Sequence, residues 1–217
     1  MNLNFSFLDE YGSYFISGAW VTLQLSFFGV LLGTLFGIGF ALMRLSRIWI
    51  VKFLATAYIE IIRGTPMLVQ ILIIHYGLTN FGVNLPAFAS GVVALTINSA
   101  AYMAEVFRAG IQAIDKGQME AARSLGMSRW QAMRLIVLPQ AFRNMLPAIG
   151  NELIVIIKDS SLVSTIGIAE LLYNARTVQG NTFIPLEPLI VAAGVYFIMT
   201  FTLSQLLGVL ERRLGKR

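Results

Sequence analysis

The chain has 217 residues, of which 57% are apolar and only 12% are charged, with a formal net charge of +5. Soluble domains carry about 25% charged residues, so composition leaves no room for an ordinary soluble domain, and the positive balance fits the basic loops of a membrane protein better than a nucleic-acid footprint. Cysteine is absent, which excludes a disulfide framework and thiolate metal ligation.

The first apolar run, Tyr11 to Met43, contains 33 positions without a charge. A spanning helix needs about 20 apolar residues, so one span is predicted near 15–43. The only charges before it are Asp9 and Glu10, and the first basic residue is Arg44. A secretory signal starts basic and has a shorter core, so this helix is expected to be retained. Gly29, Gly33 and Gly37 recur at every fourth position and line one face. Such a stripe permits close helix approach, and internal packing is the expected use, with a dimer face as the lesser reading.

The next charge-free run extends from Gly64 to Ala104, 41 positions. It is too long for one helix and contains the turn-rich stretch GLTNFGVNLP at 77–86, so spans are predicted near 54–76 and 87–109. Within the first of these, Arg63-Gly64-Thr65-Pro66 predicts a break, with Pro66 at the first position of a new helix and Thr65 as its cap. A half-helix beginning there would offer free backbone donors to a carboxylate; a simple kink is the competing reading. Glu60 and Arg63, three apart, are expected to form a structural ion pair. His75, the single histidine, is expected at the outer end of its span as a polar residue and not as a catalyst. In the third span Asn98 and Tyr102 are four apart and share a face, which Glu105 continues.

Residues 118–139 are charged and amphipathic. Residues 118–125 predict a short helix ended by Gly126. Ser128 and Gln131 have capping-box spacing at the start of a second helix. Trp130, Met133 and Val137 fall on one face at helical spacing, and Pro139 is expected to disturb any helix that continues past it. A glycine-jointed helix pair of this kind suits a groove on another protein or the lipid headgroup layer.

A fourth span near 141–159 is amphipathic and carries Glu152, Lys158 and Asp159. At about 100° per residue, positions seven apart return to within about 20° of each other, so Glu152 and Asp159 share a face and Lys158 lies off it. Ser160 and Ser161 supply hydroxyls beside a helix end. Polar groups at membrane depth are costly and informative, and each reads either as a substrate contact or as part of an interhelical network. A fifth span is predicted near 188–210, where 23 positions lack charge. With the N-terminus outside, the inner loops and tail hold 13 of the 16 basic residues: Arg44, Arg47, Lys52, Arg108, Lys116, Arg123, Arg129, Arg134, Arg143, Arg212, Arg213, Lys216 and Arg217. This asymmetry favours N-out and C-in. No G-x-x-x-x-G-K-[ST] phosphate cradle and no G-x-S-x-G nucleophile setting occurs.

Glu120-Ala121-Ala122, three residues, Gly126, nine residues, Ile136, one residue, Leu138 and Pro139 fill a pattern that resembles the EAA loop of ABC importer membrane subunits. IEIIRGTPMLVQ (59–70), INSAAYMAEVFRAGI (97–111) and GNELIVIIKDSSLVSTIG (150–167) resemble the polar amino-acid branch of that family, so the likeness covers nearly the whole chain. The resemblance implies an all-α polytopic membrane protein with five transmembrane helices in the type I ABC importer permease (MetI-like) fold. It would be a single domain over 1–217 in the bacterial cytoplasmic (inner) membrane, with cytoplasmic coupling helices at about 118–138. It also implies that Glu120 makes polar contacts with an ATPase, that Ala121 permits close approach and that Gly126 provides the turn, with Ala122, Arg129 and Pro139 completing the coupling surface. The same likeness puts Gly64, Thr65, Met67, Asn98, Tyr102, Glu152, Asp159, Ser160 and Ser161 around the substrate path. Expected partners are a cytoplasmic ABC ATPase dimer, a second permease subunit (a copy or a paralogue), an extracytoplasmic amino-acid-binding protein, the amino-acid substrate and membrane lipid, but not nucleic acid. No cofactor is expected on this chain, with ATP and magnesium held by the ATPase, and no covalent chemistry. Two carboxylates facing one pocket would suit a cationic amino acid. The rival from another class is a self-sufficient secondary transporter or channel.

Overall fold

Apolar segments without charge satisfy their backbone polar groups most readily within their own helix. The computed structural model describes residues 3–215, and every regular element among them is helical; Lys216 and Arg217 of the basic tail lie outside the described residues. Helix α1 (Leu8–Arg44) starts earlier than the charge-free run, because Asp9 and Glu10 occupy its first turn and Arg44 its last, the placement that the helix dipole favours. Against it lies α4 (Ala87–Gln112). A Cβ on Gly29, Gly33 or Gly37 would stand 2.9, 2.6 or 2.5 Å from the Cβ of Leu95, Ser99 or Met103. The glycine stripe is therefore an internal seam between α1 and α4.

The predicted span at 54–76 is two helices, α2 (Trp49–Gly64) and α3 (Met67–Asn80), bent by 110°. The break falls where Pro66 predicts it, since proline holds its predecessor in extended backbone, and Thr65 has φ −118° and ψ 145°. Two details differ. Pro66 occupies the N-cap of α3, one place before the expected position. Thr65 does not cap α3; its hydroxyl donates back to the Ile61 carbonyl at 2.9 Å.

Helices α5 (Lys116–Ser124) and α6 (Arg129–Ala132) form the predicted glycine-jointed pair. Gly126 has φ +85°; its N–H donates to the Arg123 carbonyl and that of Met127 to the Ala122 carbonyl, a Schellman closure. Ser128 and Gln131 form the reciprocal capping box. From α6 the helix continues through a π turn (Met133–Val137) into α7 (Leu138–Asp159). The inserted residue shifts the period, so Trp130, Met133 and Val137 do not form one stripe: Val137 is buried and Trp130 is exposed.

After α7, a 3-10 segment (Ser160–Ile166) ends at Gly167, and α8 (Leu171–Thr182) leads to α9 (Glu187–Gly215). The sequence gives no span for residues 160–187, yet this stretch is folded and tied down. Glu170, fully buried at the start of α8, accepts from the N–H groups of Leu172 (3.0 Å) and Tyr173 (2.7 Å) and from the Tyr196 hydroxyl of α9 (2.6 Å). The Asn174 amide donates to the Tyr14 carbonyl of α1 at 2.8 Å. The chain leaves α8 through Phe183, a left-handed residue at φ 57° that is 90% exposed.

The main core gathers Leu25, Leu95, Met103 and Ile156 from α1, α4 and α7, with Ile71 from α3; a smaller one joins Phe15, Leu171, Val178 and Ala192 from α1, α8 and α9. Among the described residues α1, α4 and α9 are long and apolar enough to cross a bilayer, and the bent α2–α3 pair passes as a fourth span. The α7 helix does not reach that hydropathy, in keeping with its Glu152, Lys158 and Asp159.

Candidate functional site: the α3, α4 and α7 junction and the projecting helix pair

A helix that stops at Gly64 leaves its last carbonyls without intrahelical partners. The buried Gln70 side chain fills that role. Its Nε2 donates to the carbonyls of Ile62 (2.7 Å) and Thr65 (3.0 Å) and contacts Thr65 Oγ1 (2.9 Å). Its Oε1 accepts from Asn98 Nδ2 at 2.9 Å, both residues being buried. Asn98 therefore anchors the break to α4. Gly64 and Thr65 are exposed at the bend, and Met67 packs against the main core.

The neighbouring residue of α4, Ser99, lies in the seam against Gly33 of α1 and also faces α7. The Glu152 carboxyl faces Ser99, with Asp159 two turns further along α7. Glu152 is buried, and the Ser99 hydroxyl is buried without a hydrogen-bond partner that meets ordinary geometry. Three helices thus meet at one level of α4: α3 through Gln70 and Asn98, and α7 through Glu152 and Ser99. A buried carboxylate beside an unengaged hydroxyl can accept hydrogen bonds from a cationic ligand. The hydroxyls of Ser160 and Ser161 donate to the carbonyls of Ile157 (2.8 Å) and Lys158 (2.7 Å), so their protons are engaged and their lone pairs remain. Lys158 is exposed and forms no ion pair among the described residues.

Tyr102 shares the Asn98 face but opens into a different space. It lines a cleft of about 390 Å³ between α2, α4 and α7 with Arg63, Glu105, Asn144 and Met145. The Arg63 guanidinium lies 5.5 Å from the Tyr102 ring centre, a cation–π arrangement. The expected Glu60–Arg63 pair does not form. Glu60 instead meets Arg44 at 3.6 Å, and Glu105 pairs with both Arg44 and Arg108. Arg44 reaches both acids from the end of α1, while Arg108 meets Glu105 at i,i+3 spacing within α4. Gln70, Ser99, Glu105 and Arg63 are the residues that sequence reasoning passed over as site members. The signal available for Gln70 was its position one turn into the helix that follows a proline break.

On the projecting pair, Glu120, Ala121 and Arg129 are exposed, as are Leu125 at 84%, Trp130 at 67% and, at the start of α7, Pro139. Ala122 faces inward and is buried. The pair presents a mixed apolar and charged surface around Gly126.

Residues 29–216 match the family model described as binding-protein-dependent transport system inner membrane component. The chain belongs to this family. It is similar to the arginine transport system permease protein ArtQ of Bacillus subtilis (strain 168), 39% identical over 99% of this chain and 98% of that protein. It also resembles the probable glutamine ABC transporter permease protein GlnM of the same organism, 38% identical over 99% of each. A solved structure described as an amino acid ABC transporter with histidines superposes with a TM-score of 0.94 at 52% identity, covering 98% of this chain and 100% of that one. The permease thus has the all-helical MetI-like fold of type I ABC importers and is a multi-pass component of the inner membrane. It is the transport subunit of a system in which ATP hydrolysis belongs to a separate chain.

Proposed function

We propose that this chain is the membrane-spanning subunit of an ATP-driven importer for polar L-amino acids, with a preference for those carrying a cationic side chain. The observation that carries the preference is the buried Glu152 carboxyl beside the unengaged Ser99 hydroxyl, two turns from Asp159. An ionisable group is kept in such surroundings only where it is paired or used. The relatives named for arginine and glutamine transport, and the solved amino acid ABC transporter with histidines, support amino acids as the substrate class. Gly64, Thr65, Met67, Asn98, Ser160 and Ser161 belong to the same path, and Tyr102 lines the neighbouring cleft that continues it.

The chain forms one domain with five spans, in which the bent α2–α3 pair counts as one and α7 is a span shielded by its neighbours from lipid. The N-terminus is outside and the C-terminus cytoplasmic, as the distribution of basic residues requires. In that orientation α5 and α6 project into the cytoplasm. There Glu120, Ala121, Ala122, Gly126, Arg129 and Pro139 form the surface that docks in a cleft of the ATPase dimer, which holds ATP and magnesium. A second permease subunit closes the path, and an extracytoplasmic binding protein delivers the amino acid. The exposed apolar side chains of α1, including Ile16, Leu35, Phe36 and Leu42, face lipid.

Reconstitution of the complex in vesicles tests the reading. Arginine uptake should require ATP and the binding protein; uptake that follows an ion gradient and ignores ATP would establish the secondary-transporter reading instead. Glu152→Gln should lower arginine uptake about tenfold or more, the scale of a lost hydrogen bond to a charge, while glutamine uptake changes far less. An unchanged arginine-to-glutamine ratio would remove the assigned preference.

A further inference from the structure

The helix that carries Glu152 does not begin at Leu138. It runs unbroken from Arg129 through the π turn at Met133–Val137 into α7. The turn closes with the Leu138 N–H on the Met133 carbonyl, five residues back, so one residue is inserted into the α-helical ladder. The next residue, Pro139, lacks an N–H, and in an α-helix its ring would crowd the carbonyl four residues earlier, that of Leu135. The wide turn relieves this crowding, and single π turns inside α-helices occur often at functional sites.

One side chain bridges this junction. Gln140 Nε2 donates to the Ile136 carbonyl at 2.8 Å and lies 3.5 Å from Gln118 Oε1 on α5. Ala122 of α5, Ala132 of α6 and Val137 of the π turn are buried where these elements pack together. Gln140 therefore touches the first projecting helix, the π turn and the start of the helix that leads to Glu152.

We propose that Gln140 is a positioning residue that makes the π turn a stiff joint, so that displacement of α5 rotates or shifts α7 instead of being absorbed in the turn. The proposal rests on the reading of α5 and α6 as the ATPase-facing elements. The π turn is one residue from an α-helix, and its collapse would turn everything beyond it by about 100°. That would take Glu152 away from Ser99. Without the Gln140 side chain, the Ile136 carbonyl loses a donor and α5 loses its polar tie to this joint.

The test compares Gln140→Leu, Gln140→Lys and Gln118→Leu in the reconstituted complex, with arginine as the transported probe. Gln140→Leu should leave ATP hydrolysis within about twofold of the wild type while arginine taken up per ATP falls about tenfold, the scale of one lost hydrogen bond. Gln118→Leu should lower the same ratio, and the double variant should add little, as members of one contact network do. Gln140→Lys keeps a donor and should restore most of the ratio. In the purified complex, hydrogen exchange of the amides at 133–138 should rise about tenfold in Gln140→Leu and stay near wild type in Gln140→Lys. An unchanged ratio, a parallel fall of uptake and ATP hydrolysis, or identical behaviour of the leucine and lysine variants would overturn the assignment. A wild-type complex that hydrolyses ATP without moving arginine would count against the importer reading, and the exchange measurement would then decide the role of Gln140.

Discussion

Gln70 shows how much one side chain can hold. It supplies donors to a helix end that proline has cut short and an acceptor to Asn98 on another helix. Its replacement by leucine leaves the buried Asn98 amide and two carbonyls without these partners, so Gln70→Leu should lower stability by about 1–3 kcal/mol. The detergent-solubilised permease should unfold at a lower temperature. The double variant Gln70→Leu with Asn98→Leu should lose less than the two single changes together, because removing both partners leaves fewer orphaned groups. Among the site residues, those fixed by local rules were legible in the sequence: the break at Gly64–Pro66, the face shared by Glu152 and Asp159, the cap at Ser128. Partners set across helices were not. Glu60 and Arg63 have the spacing of an ion pair, yet Arg44 and Tyr102 reach them from other helices, and nothing in a one-dimensional pattern shows that approach.

At the scale of elements, α1 and α4 lie so close along the glycine seam that Gly33 has no room for a side chain beside Ser99. Gly33→Leu should cost about 1–3 kcal/mol or more through overpacking, read as a loss of folded, monodisperse protein on gel filtration and a lower unfolding temperature. Gly39 of the same helix has open space around its Cα, and Gly39→Leu should be tolerated. Periodicity made the seam visible as a stripe, and only the structure shows which helix lies across it. Two elements escaped the sequence reading for separate reasons. The π turn has no periodicity of its own and is longer than the α-helical turn by a single residue. Helix α8 is polar for a membrane protein and short, so neither hydropathy nor length marks it; its cap at Glu170 is the one local sign.

For the whole molecule, the distribution of charge carried most of the information. Runs without charge separated the apolar helices, as the cost of charge in hydrocarbon dictates, and clusters of arginine and lysine carry the proposed orientation. The bend of 110° between α2 and α3 was not legible, since proline fixes where a helix stops and tertiary packing fixes where the next one points. The proposed docking of the glycine-jointed pair on the ATPase makes transmission between subunits the property to test at this scale. Gly126 sits at φ +85° with its N–H engaged. Proline meets neither requirement, and Glu120→Lys reverses a charge on the exposed surface beside it. In the reconstituted complex either change should reduce uptake per ATP hydrolysed about tenfold or more, with membrane insertion intact by fractionation. Full transport by both variants would show that this pair does not carry the motion.

The knot of hydrogen bonds at Glu170 bears on where the molecule accepts foreign sequence. One acid caps α8, holds Tyr196 of α9 and sits where Leu171 donates to Thr22 of α1 at 3.3 Å. Lengthening the polypeptide before Leu171 would therefore disturb three helices together. Beyond Thr182, by contrast, the backbone has already turned left-handed and Phe183 stands clear of its surroundings. An epitope or fluorophore grafted onto this permease belongs at that far end, where it would ride on the surface and leave the knot tied.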